Sequence, residues 1–370
     1  MRILQVITSL LVGGAEKLVV DLVPKLVERG HAVDVVVFNA KNMPLLSLLS
    51  ERCPQCKVYQ LGNSYYNPLL ILKLRKIMKS YDIIHTHNSS PQLFATIANL
   101  SLGKRLITTE HSTNNRKRES KVFLWWLDKW MYKRYDRIVA ISDVARNKLL
   151  EYLHWEQNCS KVITINNGVD VEMFHHAEPA NDEQLGFRRT SRFVVVMVAG
   201  FREAKDQDTV VRAISHLPKD KFELWLVGVG ERMETVEYLV KSLDLSDRVR
   251  FMGLRHDIPN ILKAADAIIM SSHWEGLSLS NIEGMSVGKP FIASNVNGLK
   301  EVTEGAGILF PHEDPAVLSD ILCRLSSDNE HYVQVAEKCY QRAKRYDLQR
   351  MVGYMIMFIK HYDFDLHFKK

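Results

Sequence analysis

MRILQVITSLLVGGAEKLVV, residues 1–20, strings together three local instructions. Residues 3–7 (ILQVI) are a short apolar run that reads as a buried strand, Gly13 and Gly14 interrupt it, and from Ala15 the apolar positions recur at helical spacing as far as Glu28. Gly30 is the stop signal, and residues 31–38 (HAVDVVVF) read as a second apolar strand. Strand, helix and strand in that order make a βαβ unit, whose parallel strands are buried on both faces by the crossing helices. The same start could imitate a secretory leader. Its apolar run is broken by Gln5 and Thr8, has no small-x-small cleavage pattern and leads straight into a helix, so a cytoplasmic protein is expected.

Outward from this unit the alternation continues at 83–87 (IIHTH), 106–109 (LITT), 137–141 (RIVAI) and 162–165 (VITI). A polar stretch without hydrophobic period, 178–192 (EPANDEQLGFRRTSR), reads as a linker. Beyond it, strands at 193–198, 223–227, 249–252, 267–270 and 291–294 alternate again with helices. The expectation is an α/β protein of two Rossmann-like, doubly wound halves, 1–177 and 178–345. A C-terminal helix and tail, 346–370, is expected to pack back toward the first half. Such sheets bind ligands at the carboxyl ends of their strands, which makes a cleft between two facing halves the expected site.

Composition excludes several classes. The chain has 370 residues, 46% apolar and 25% charged, long enough for two cores and too apolar for wholesale disorder. No run approaches the roughly 18–20 apolar residues of a spanning helix. A net charge of +6 is mild and gives no nucleic-acid footprint. It is concentrated, however: residues 116–137 hold eight Lys/Arg against Glu119, Asp128 and Asp136, interleaved with Trp125, Trp126 and Trp130. This pattern fits an anionic membrane surface or, equally, a packed helix with a basic face. Five cysteines (Cys53, Cys56, Cys159, Cys323, Cys339) are too sparse for a disulfide framework, and the Cys53–Cys56 pair lacks the second ligand pair of a zinc site. His85 and His87 share one strand face but have no acidic or thiol partner in their pattern, so no metal is expected and both read as structural. Gly228-Val229-Gly230 is not a dinucleotide fingerprint, because Met233 stands where its third glycine belongs.

Residues 273–290 (HWEGLSLSNIEGMSVGKP) are the most specific stretch. Glu275 follows a strand, and Glu283, eight residues on, falls inside a helix that begins after Gly276. Glycine permits close backbone approach, and the free amides of a helix start attract an anion such as a diphosphate. Taken alone, the pair reads as a capping acid and a solvated helix acid.

The stretch resembles the E-x7-E motif of family 4 retaining glycosyltransferases, followed by G-x-P at Gly288, Lys289 and Pro290. Further landmarks of that family stand in order: GGAE at 13–16, IIHTHN at 83–88, TTEHS at 108–112, IVAIS at 138–142, INNGVD at 165–170, VAGFREAKDQ at 198–207, LVGVGE at 226–231 and VRFMGLRHDI at 249–258. The resemblance covers roughly residues 1–345 and implies the GT-B architecture. It implies that Glu283 binds the ribose diol of a nucleotide-sugar donor and that Glu275 faces the transferred sugar. It places the amides of Leu277, Ser278 and Leu279 and the Gly14 loop along the donor. Lys205 matches the phosphate lysine of the family. The usual partner arginine is replaced by Gly200, and Arg202 is taken to reach the same phosphate. His111 matches the histidine that contacts the donor sugar near its reacting carbon.

The function so implied is retaining transfer of a sugar, from a UDP- or GDP-linked donor, to a hydroxyl of a glycan or lipid-linked acceptor in cell-surface polysaccharide or glycolipid synthesis. The nucleotide sugar is a substrate, and no cofactor is implied. Two alternatives compete. A sugar-nucleotide epimerase or hydrolase would need catalytic carboxylates from both halves, and Glu110 is the one candidate in the first. A non-catalytic sugar-nucleotide-binding partner subunit is the other.

Overall fold

In the computed structural model, which describes residues 1–11, 13–111, 122–275 and 278–360, the apolar runs form two parallel sheets. The first comprises β1 (Arg2–Ile7), β2 (Ala32–Val37), β3 (Val58–Gln60), β4 (Ile83–His87), β5 (Arg105–Glu110), β6 (Arg137–Ala140) and β7 (Val162–Thr164) in the order β3-β2-β1-β4-β5-β6-β7. The second comprises β8 (Phe193–Val198), β9 (Phe222–Val227), β10 (Val249–Gly253), β11 (Ala267–Met270), β12 (Phe291–Ser294) and β13 (Ile308–Phe310) in the order β10-β9-β8-β11-β12-β13. All ladders between these strands are parallel. Each sheet winds outward in both directions from its first strand, as a doubly wound Rossmann-like sheet does.

The period of two explains how β1 serves two cores. Ile3 and Ile7 point to one face, with Val33, Val35 and Val37, into a core shared with the helices Gly14–Glu28 and Leu348–Lys360. Leu4 and Val6 point to the other, with Val36, Ile84 and Ile138 and with Leu70 and Leu74 of the helix Leu69–Met78. Because both faces are covered, these strands read in the sequence as mainly apolar runs rather than as an apolar–polar alternation.

The chain divides into two units, residues 1–168 with 348–370 and residues 169–347. The divide falls at 168/169 rather than at 177/178. The helix Val171–His175 packs into the core of the second unit through Val171 and Phe174. At the divide the outgoing and returning chains run side by side: Val169 N–H donates to Tyr346 O at 2.9 Å, and a Cβ on Gly168 would lie 2.7 Å from Leu348 Cα. The helix Leu348–Lys360 belongs to the first unit. Residues 178–192 are likewise no linker but a cover of the second sheet. Asn181 and Gln184 form a capping box on the helix Asp182–Leu185, and Thr190 Oγ1 donates to the buried Glu223 carboxylate at 2.8 Å.

Candidate active site

In the second unit the strand order reverses between β8 and β11, so the loops leaving these strands lie side by side at their carboxyl ends. An antiparallel bridge joins Lys205 to Ser272, and His273 N–H donates to Ala204 O at 2.9 Å. This clasp brings two predicted residues together: the Lys205 ammonium pairs with Glu275 Oε1, which also accepts from Ser272 Oγ at 3.3 Å. Both side chains are mostly enclosed, 17% and 15% exposed. Burial, and then the like charge of Arg202, lowers the Lys205 pKa to about 8, while its contact with the carboxylate acts the other way.

Arg202 is exposed, and its side chain folds back over Gly200. Its Nε lies 3.6 Å from the point a Cβ of residue 200 would occupy, so it fills the space a side chain there would use. Glu283 is 4% exposed on the helix Leu279–Ser286. A solvated helix acid is thereby overturned, since a carboxylate is rarely buried without a task or a partner. Ser278 precedes that helix and makes no side-chain cap to it, which leaves the amides of its first turn to be served from elsewhere. Leu279 is its first residue; Leu277 lies outside the described residues. Gly228 and Gly230 are required by packing, because Cβ atoms there would meet Ala199 O at 2.2 Å and Phe201 O at 2.3 Å.

In the first unit the reversal falls between β1 and β4. There a line of side chains, buried at Gln5, His85 and His87 and half-buried at His111, runs from β1 through β4 to the residue after β5. His87 Nε2 lies 2.8 Å from Gln5 Oε1, and His87 Nδ1 lies 2.9 Å from His111 Nε2. His85 packs against His87 with ring centroids 4.3 Å apart and the planes tilted by 46°, and bonds Thr109 Oγ1 at 2.8 Å. Burial lowers all three pKa values, to about 3 for His85, well below the ordinary value for His87 and to about 4 for His111, so the rings are neutral at pH 7. Neutrality makes the line directional. With the Gln5 amide oxygen facing His87, Nε2 of His87 carries the proton and its Nδ1 accepts from His111 Nε2–H. His111 Nδ1 is then a lone pair, buried and without a hydrogen-bond partner among the described residues. Sequence reasoning set His87 aside as structural and passed over Gln5; an amide inside an apolar strand was the available signal, because a buried amide must find a partner.

Gly14 opens the helix Gly14–Glu28, and a Cβ on it would meet nothing within 4 Å. Glu110 accepts from Gln92 Nε2 at 2.6 Å and from Tyr132 Oη. Of the basic segment, residues 116–121 lie outside the described residues. On the helix Val122–Lys133, Trp125 donates to Tyr152 O at 2.6 Å and carries Lys129 over its ring, and Trp130 stacks with Arg134. Trp126 is 64% exposed. Among the described residues no helix is long and apolar enough to cross a membrane.

The family described as Glycosyltransferase Family 4 matches residues 12–173, and that described as Glycosyl transferases group 1 matches residues 179–344. Among curated relatives, the UDP-Gal:α-D-GlcNAc-diphosphoundecaprenol α-1,3-galactosyltransferase of Escherichia coli is 31% identical over 62% of this chain and 62% of its own, so the match spans less than two thirds of that enzyme. The N-acetyl-α-D-glucosaminyl L-malate synthase of Bacillus anthracis is 25% identical over 88% of each chain. The crystal structure of Anabaena Alr3699/HepE in complex with UDP-glucose superposes with a TM-score of 0.81 at 21% identity, over 97% of this chain and 99% of that one. This last likeness shows the fold.

Proposed function

Because the chain belongs to glycosyltransferase family 4, with the GT-B fold, we propose that it moves a hexose from a UDP-linked donor to a hydroxyl of a lipid-diphosphate-linked glycan, with retention at the anomeric carbon. The observation that carries this reading is the clasp between the loops after β8 and β11, which sets Lys205 against Glu275 at the strand reversal. A nucleoside diphosphate leaves with negative charge growing on its phosphates. A buried ammonium, the Arg202 guanidinium and the open first turn at Leu279 are the groups that stabilise such charge. In the free enzyme Glu275 holds the ammonium in place. When the donor binds, the phosphate takes over Lys205, and Glu275 is released to accept from hydroxyls of the transferred sugar. Glu283 accepts from the ribose diol, a geometry that suits a carboxylate. In the first unit, His111 Nδ1 is the acceptor offered to a sugar hydroxyl.

No residue stands out as a protein nucleophile for double displacement. We assign front-face displacement, in which the leaving phosphate takes the acceptor proton and the protein contributes position and charge. The names of the E. coli relative and of the HepE complex support a UDP-linked donor, and that of the relative supports a polyprenyl diphosphate acceptor. An epimerase or hydrolase is disfavoured: Glu110, the one carboxylate the first unit offered, is taken up by Gln92 and Tyr132.

Such an acceptor lies at a membrane, so we place the protein in the cytoplasm, peripheral on the inner face. Exposed Trp126, with the basic residues around it, is the contact. Incubation with UDP-galactose, UDP-glucose or UDP-N-acetylglucosamine and a synthetic GlcNAc-diphospholipid is expected to give an α-linked disaccharide lipid, read by mass and anomeric coupling. A β-linked product overturns retention, and donor hydrolysis without transfer overturns the acceptor class. Co-sedimentation with anionic vesicles is expected to fall with salt and with Trp126→Ala. Equal sedimentation of parent and variant would return Trp126 to an ordinary surface residue.

A further inference from the structure

Three side chains meet beside the loop after β11, on the side of residue 273. His273 Nδ1 lies 2.9 Å from His312 Nε2 and 3.2 Å from Glu313 Oε1, and the last two atoms are 3.9 Å apart. The point in their plane equidistant from all three atoms lies about 2 Å from each, the length of a zinc–imidazole or zinc–carboxylate bond. Closing the His312–Glu313 gap by about half an ångström lifts an ion out of that plane toward tetrahedral angles. Without an ion, one proton on His273 Nδ1 is shared between His312 Nε2 and Glu313 Oε1, and water serves the exposed Glu313 carboxylate; two protons, one on each nitrogen, would face each other across 2.9 Å. A divalent cation at the centre satisfies the three lone pairs together. The two rings stand at 89° to one another with their centroids 5.1 Å apart.

Two further observations point to the same place. Glu313 has φ +59°, the left-handed region that disfavours residues with a side chain, and such outliers persist where something depends on them. The Asp206 carboxylate, buried ahead of the helix Gln207–His216, has an oxygen within 4.8 Å of ring nitrogens of both histidines. It is anchored there by Thr209 N–H at 3.1 Å and Ser271 Oγ at 2.8 Å, as an orienting carboxylate beside a metal commonly is.

We propose that His273, His312 and Glu313 form a divalent-metal site of zinc type, with Asp206 beside it and a fourth position open to water. Two imidazoles and one carboxylate with an open position are the ligand set that Zn²⁺ accepts. The ion ties the loop after β11, two residues before Glu275, to the segment that follows β13. This inference does not depend on the sugar-transfer reading, and neither does its test.

The full chain, freed of metal and kept free of nucleotide, is titrated with Zn²⁺ by calorimetry and with Co²⁺ by visible absorption. One ion per chain is expected, with the intense d–d bands of a tetrahedral site and a rise in melting temperature with added Zn²⁺. His273→Ala and His312→Ala, at partly exposed positions that leave the fold intact by circular dichroism, are each expected to lose more than the roughly 10- to 100-fold in affinity that removal of an outer-shell partner costs. Glu313→Gln weakens binding and shifts the Co²⁺ bands. Absence of uptake by the parent, or uptake that both histidine variants retain, overturns the site. A thiolate charge-transfer band also overturns it, by placing the ion on Cys53 and Cys56.

Discussion

His87 Nδ1 lies 2.9 Å from His111 Nε2, and the far nitrogen of His87 lies 2.8 Å from Gln5 Oε1, so an amide on β1 sets the tautomer of a ring two strands away. The expected state is His111 protonated on Nε2 with a lone pair on Nδ1, which nitrogen-15 imidazole spectra read directly. In Gln5→Glu a carboxylate replaces the amide and stabilises the imidazolium form, raising the His87 and His111 pKa values. The acid limb of the pH–rate profile then moves to higher pH. An acid limb that stays where it is in Gln5→Glu would show that the line does not reach His111.

Arg202 occupies the space that a side chain at Gly200 would fill, which gives a rescue test. Arg202→Ala should lower kcat/KM roughly ten- to a hundred-fold, the usual worth of one charge-assisted hydrogen bond. Adding Gly200→Arg should restore most of it, because a Cβ at 200 meets nothing closer than 3.5 Å. Parent-like activity in Arg202→Ala alone refutes the assignment. Lys205 supplies a pH handle on the same phosphate. With its pKa lowered to about 8, affinity of the free enzyme for UDP should fall as pH rises through that value and the ammonium is lost. Lys205→Arg should abolish that fall, since guanidinium stays charged.

Glu283 and Glu275 should separate in kinetics. Glu283→Gln removes the charge and one of the two acceptor oxygens of the proposed ribose-diol contact and should weaken UDP binding by about 1.5–3 kcal/mol in calorimetry. Glu275→Gln should leave UDP affinity near that of the parent and lower turnover by a similar factor, because its proposed contact is to the reacting sugar. UDP binding equal to the parent's in both variants removes the ribose role of Glu283.

The central strands were legible because two covering layers of helices demand continuous apolar runs, as in 193–198. β3 and β13 were not: each is three residues long at a sheet edge, as the legible β7 also is, and their runs VYQ and ILF do not stand out from the flanking sequence. Residues 178–192 misled for a different reason. Their polar side chains are spent on Glu223, Asp266 and Asp247, and composition cannot tell a hydrogen-bonded cover from a tether. The motif around Glu275 was legible as a strand end followed by a helix, since its spacing follows from one strand and one helix. What the sequence could not show is adjacency made by the sheet itself: Gln5 beside His87, 82 residues on, or His273 beside His312, 39 residues on.

The buried histidines also predict how stability depends on pH. Their folded pKa values lie below the ordinary 6.5, about 3 for His85 and about 4 for His111, with burial the first cause. As pH falls below about 6.5 the unfolded chain takes up protons that the folded one refuses, so stability present above that pH is lost progressively toward pH 4 and beyond. At about 1.4 kcal/mol per unit, His111 alone accounts for up to about 3 kcal/mol. For a unit of this size that is on the order of 10 °C in melting temperature. The Glu16 carboxyl, raised by burial, works in the opposite sense and softens the decline. Scanning calorimetry of the parent and of His111→Gln between pH 7 and 4 isolates the contribution. The variant should start less stable, because His87 Nδ1 loses its donor, and should lose less on acidification. Parallel curves for the two proteins would assign the acid loss to carboxylates elsewhere and leave His111 without the depressed pKa on which its role as a neutral acceptor depends.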